Sequence, residues 1–75
     1  MKMTEEVINA LKNRNESKLY HAMYDIYDEN NSTEACEAFN QWKLEAKEYE
    51  RNMIIRAERM IYKNEADFNS MFYMQ

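Results

Sequence analysis

His21 is the single imidazole in this chain of 75 residues, and Asp25 follows it one helical turn later on the same face. A carboxylate at that spacing can orient a histidine as a general base, but such a base also needs a nucleophile, an oxyanion donor and a concave pocket. Cys36 is the single thiol. It falls on the far side of a predicted turn, so an encounter with His21 is conceivable, although a small apolar filler at a helix start is the simpler role for it. No catalytic residue is assigned, and the chain is read as a non-enzyme. The carboxylates around the turn do not spell a calcium loop, because counting from Asp28 the glycine position is Thr33 and the bidentate glutamate position is Phe39. One histidine and one cysteine cannot close a zinc site in a monomer, and the paired Glu-x-x-His motifs of di-iron bundles are missing. No metal or cofactor is expected.

Residue types and spacing favour binding over chemistry. Leu19, Met23 and Ile26 form one stripe at helical spacing, and Tyr20, Tyr24 and Tyr27 form a second on the adjacent face. A single neighbouring helix cannot cover both, so the tyrosines are read as a protein interface, together with Phe68, Met71 and Phe72 near the C-terminus. An acidic tip of Asp25, Asp28, Glu29, Glu34 and Glu37 is the second candidate surface. Between Leu19 and Lys47 lie six acids against Lys43 and Lys47, whereas the rest of the chain has eight acids and eight bases, so this stretch carries the whole formal charge of −4. Such a tip can dock on a basic protein surface, even one that normally holds nucleic acid. Arg51, Arg56, Arg59 and Lys63 are the alternative site, for nucleic-acid contacts. Glu48, Glu50, Glu58 and Glu65 lie among them, which favours ordinary helix-surface pairs.

The elements that must position these groups are helices. The chain has no Gly and no Pro, where average usage predicts roughly nine such residues, and these punctuate turns and hairpins. The expected fold is all-α: an antiparallel hairpin of two long helices with a short C-terminal helical segment, dimerising into a four-helix-type bundle. Thr4 is a good N-cap, with Glu5 and Glu6 suited to the first turn, so helix one is placed at 4–28. Its apolar series runs Val7, Ile8, Leu11, Leu19, Ala22, Met23 and Ile26. The middle turn around residues 13–17 has no large apolar side chain, and a break there with Asn15 or Ser17 as a cap is the alternative to one continuous helix. The turn-forming cluster predicts a corner at 29–33. Helix two is placed at 34–63 on a heptad of Ala35, Trp42 and Tyr49 with Phe39, Ala46, Met53 and Met60, which Arg56 interrupts while Ile54, Ala57 and Ile61 take up a neighbouring stripe. Asn64 is read as the cap of a short helix at 65–74, too apolar for a free tail, which either folds back over the hairpin or packs on a second molecule.

Residues 1–75 therefore read as one helical domain. With one cysteine and no apolar run resembling a leader or membrane span, the expected setting is the cytoplasm and no membrane partner is expected. The negative charge and pI near 4.9 work against general attraction to phosphate backbones. The reading is a protein-binding module, an inhibitor or adaptor of phage or mobile-element type acting on a host or regulatory protein, and likewise a homodimer. A dimeric helical RNA- or DNA-binding regulator is the alternative.

Overall fold

The computed structural model describes residues 1–73, with side chains described for residues 1–65. Within that range the chain forms four helices and no strand: α1 (Glu5–Lys12), α2 (Glu16–Glu29), α3 (Ser32–Glu45) and α4 (Glu48–Tyr73). The all-α class is as expected, but the hairpin of two long helices is not. Each of its arms is broken, and each break has a local cause.

Helix one at 4–28 divides into α1 and α2. Thr4 caps α1, its hydroxyl accepting from the Val7 N–H at 3.3 Å. The helix then closes with a Schellman motif: the Asn15 N–H reaches the Ala10 carbonyl at 2.9 Å and the Arg14 N–H reaches Leu11 at 3.2 Å. Arg14 takes the left-handed conformation (φ 52°) that such an ending requires and that glycine usually supplies. Its guanidinium lies over the Tyr49 ring at 4.5 Å, a cation–π contact that helps offset the strain. Asn15 then caps α2, its Oδ1 accepting from the Lys18 N–H at 3.0 Å. The alternative reading, a break with Asn15 as the cap, is the one realised.

The corner expected at 29–33 narrows to Asn30 and Asn31. Asn30 Nδ2 donates to the Ile26 carbonyl at 2.8 Å, and Asn31 Oδ1 accepts from the Glu34 N–H at 2.8 Å, so one asparagine ends α2 and the next begins α3. Helix two at 34–63 is interrupted where Ala46 turns extended (φ −80°, ψ 155°). Two side chains of α4 hold this second corner. Glu50 Oε1 reaches back to the Lys47 N–H at 3.0 Å, the glutamate half of a capping box. Arg51 donates through Nε to the Lys43 carbonyl at 2.9 Å and through Nη2 to the Ala46 carbonyl at 3.2 Å, satisfying the orphaned end of α3. No separate helix starts at residue 65. Asn64 lies inside α4, which runs on without interruption, and its Nδ2 donates to the Tyr20 hydroxyl at 2.6 Å.

α2 is the central element, packing on α1, α3 and α4, while α3 packs on α4. Ion-pair and ring contacts show that α4 runs parallel to α2 and antiparallel to α3: Glu16 meets Arg56 and Tyr27 meets Tyr62, whereas Cys36 meets Tyr62 and Lys43 meets Glu58. The core follows from the apolar series. Val7, Leu11, Leu19, Met23, Ala35, Phe39, Trp42, Ile54 and Ile61 are all buried. The Phe39 and Trp42 rings meet at a tilt of 55° with centroids 5.3 Å apart, and the Trp42 indole N–H donates to the Met1 carbonyl at 3.1 Å. Met60, expected on the core seam, is instead 53% exposed: the buried stripe of α4 runs through Met53, Ile54, Ala57 and Ile61, and in a straight 3.6-residue helix the seven-residue step from Met53 to Met60 drifts off it. α4 has 26 residues against 14 in α3, so its C-terminal part extends past its antiparallel partner. The radius of gyration, 12.8 Å, accordingly exceeds the roughly 11 Å of a compact domain of this length. No helix among the described residues is long and apolar enough to cross a membrane.

Candidate functional site

The five acids of the expected tip divide between two helices. Asp25, Asp28 and Glu29 occupy the C-terminal half of α2, and Glu34 and Glu37 the start of α3, all exposed. Their electrostatic settings differ. Glu34 lies in the first turn of α3, where the helix dipole favours a negative charge. Asp25, Asp28 and Glu29 lie toward the negative end of α2, whose last turn contains no base. Helix stability opposes the two acids of that last turn, Asp28 and Glu29, by a few tenths of a kcal/mol each.

Folding α1 antiparallel onto α2 brings two further acids to this region. Glu5 and Glu6, on the first turn of α1, line the same surface hollow as Asp25, Ile26 and Glu29. A second hollow adjoins it along the α1–α2 junction, sharing Glu6, Ala22 and Asp25 and continuing past Ala10 and His21 to Lys18. Glu34 and Glu37 line a separate hollow, with Met1 and Ala38, on the outer face of α3. The sequence reading missed Glu5 and Glu6 as members of the acidic surface because they are some twenty residues from Asp25. The turn signal at Asn15 was the clue that could have placed them.

His21 and Asp25 do share the α1–α2 groove, and the Tyr20 ring meets the imidazole edge-on with centroids 5.4 Å apart. Cys36 lies elsewhere, half-buried against α4, so the groove brings no thiol to the imidazole. It is not the fully enclosed core filler expected; Ala35 occupies that role. The Cys36 sulfur lies 3.2 Å from the Tyr62 hydroxyl, which donates to Glu58 Oε2 at 3.2 Å, and Glu58 Oε1 pairs with Lys43 Nζ at 2.8 Å. Glu58 is buried, and this chain of contacts satisfies its carboxylate between α3 and α4. Burial, the Cys36 hydrogen bond and the Glu58 charge together raise the Tyr62 pKa well above that of an ordinary tyrosine. Burial, followed by the charge of Glu65, raises that of Tyr27. Among the described residues no group of three histidine, cysteine or carboxylate side chains is placed to hold a metal ion.

The tyrosine stripe is partly used within the chain. Tyr20 and Tyr27 are half-buried, Tyr27 meeting Tyr62 edge-on at 6.1 Å, while Tyr24 stays exposed. Three neighbours surround α2 rather than one, which is why Tyr20 and Tyr27 find cover beside the buried Leu19, Met23 and Ile26. Phe68, Met71 and Phe72 have backbones within α4, but their side chains lie outside the described residues. Of the cations proposed for nucleic acid, Arg51 holds the end of α3 and Arg56 pairs with Glu16, while Arg59 and Lys63 are exposed. Comparisons with protein-family models, curated proteins and solved structures found no match to this chain.

Proposed function

We propose that the protein is a non-enzymatic binding module of the cytoplasm, an inhibitor or adaptor of phage or mobile-element type, which engages a basic surface of a host or regulatory protein through its acidic end. One observation carries this reading. Asp28 and Glu29 crowd the negative pole of α2, where they weaken the helix, and with Asp25 one turn back they make no ion pair among the described residues. A local rule broken with no structural gain is the mark of a surface kept for something else. The cations offered for nucleic acid are less available, since Arg51 is committed to carbonyls and Arg56 to Glu16.

Self-association through Tyr24, the exposed Met60 and the apolar end of α4 belongs to the same reading. The experiment that tests it is affinity capture from the host with the wild-type chain and with Asp28, Glu29 and Glu34 changed to Lys. A partner retained by the first and lost by the second is the expected result; equal retention would defeat the proposal. A gel shift over a salt series checks the alternative, because a phosphate-binding dimer retards RNA or DNA at low salt and an acidic module does not.

A further inference from the structure

We infer that the α1–α2 groove is the part of this acidic end that receives the partner, and that the occupant is a lysine- or arginine-bearing helical segment of another protein. This rests on the protein-binding reading above and narrows it to one place and one ligand chemistry. The floor of the groove is built from the buried, small or branched residues Ala10, Ala22 and Ile26. Alanines let a third helix approach to the short end of the usual 8–10 Å interaxial distance. Four carboxylates, Glu5, Glu6, Asp25 and Glu29, stand along it against one cation among the described residues, Lys18, at one end. An apolar floor with walls of one sign suits a helix having small residues on its contact face and basic residues on both flanks.

The hollow on α3 lacks this combination. It too is acidic, with Glu34 and Glu37, but it lies on the face of one helix with Met1 across from it, rather than between two packed helices. Helix stability accounts for Glu5 and Glu6, which suit the positive end of α1, yet the same argument cannot account for Asp25 and Glu29 on the opposite wall. The two pairs share a groove only because α1 folds back on α2.

The test is fluorescence anisotropy with a labelled 14-residue helical peptide of lysine and alanine, and with its glutamate counterpart, at about 0.15 M salt, where the Debye length is about 8 Å. Three variants accompany the wild type. Glu6→Lys with Asp25→Lys reverses the groove, Glu34→Lys with Glu37→Lys makes the same change of net charge outside it, and Asn9→Trp fills the groove from an exposed wall position without altering charge. Circular dichroism and a melting curve show that each variant is folded. The inference predicts binding of the lysine peptide alone, a loss of at least about tenfold for the groove reversal and for Asn9→Trp, and less than about threefold for the α3 reversal. Equal losses for the two charge reversals, or full binding by Asn9→Trp, would overturn the groove while leaving an acidic binding module intact. No binding of the lysine peptide by the wild type, even at low salt, would overturn the groove and count against the module as well. Self-association abolished by Asn9→Trp would make the occupant a second copy of this chain and overturn the inference.

Discussion

The carboxylate of Glu58 is the residue on which the α3–α4 contact depends. It is 6% exposed and is satisfied by Lys43 and Tyr62, from opposite sides of the helix pair. Removing one member of a buried ion pair leaves the other without solvation, which costs more than the pair itself contributes. Lys43 keeps a quarter of its side-chain surface in water, so the penalty falls below that of a fully enclosed pair. Lys43→Met is expected to lower unfolding stability by about 2 kcal/mol in a urea titration, and Lys43→Met with Glu58→Leu to recover most of it. A single variant as stable as the double one would refute this account. Tyr62 adds a pH dependence. Its pKa is raised in the folded chain, so the folded state holds its proton where the unfolded chain releases it. That contribution is complete below the ordinary tyrosine value near 10 and is lost as pH rises above it. Wild-type stability should therefore fall more steeply above pH ~10 than that of Tyr62→Phe, read from melting temperatures across an alkaline series.

Elements are bounded here by asparagine, glutamate and arginine in place of glycine and proline. Asn15→Ala removes the α2 cap and should cost about 1 kcal/mol, a fall in melting temperature of roughly 4–8 °C for a chain of this size. Arg51→Ala uncovers two carbonyls at the end of α3 and should cost about 1 kcal/mol, with Arg51→Lys recovering little because an ammonium lacks the planar fork that spans both acceptors. The same residues explain what was readable in advance. Thr4, the asparagine corner and the core series through Phe39 and Trp42 were legible, because a capping side chain and 3.6-residue periodicity are local properties. The break at Arg14 was less so, since its left-handed turn bears no glycine. The break at Ala46 was not legible at all: alanine is a strong helix former, and the contacts that hold the corner come from Glu50 and Arg51 beyond it. Met60 was placed in the core by a strict seven-residue count from Met53, whereas the buried stripe of α4 follows Ile54, Ala57 and Ile61. As for the candidate site, Asp25 and Glu29 were visible as a local charge imbalance, while Glu5 and Glu6 joined them only through the fold.

For the whole molecule, the distribution of charge matters more than its total. The four groove acids together with Asp28, Glu34 and Glu37 repel one another at one end of the bundle, and added salt screens that repulsion. The melting temperature should therefore rise between about 10 mM and 0.3 M sodium chloride, and the rise should shrink in Glu6→Lys with Asp25→Lys. A melting temperature that falls with salt would indicate that favourable pairs outweigh the repulsion. Self-association belongs to this scale too: light scattering at high micromolar concentration should give a mass near twice the 9.2 kDa of one chain, and a monomeric mass would remove the dimer from the proposed reading.

Trp42 is the only tryptophan, it is almost wholly enclosed at 1% exposure, and its ring nitrogen holds the carbonyl of the first residue. The molecule thus contains its own optical gauge for the attachment of its leading segment. Emission should be blue-shifted and poorly quenched by iodide in the native chain, and a ligand that pries α1 away from the bundle would redden it before the far-ultraviolet helical signal declines.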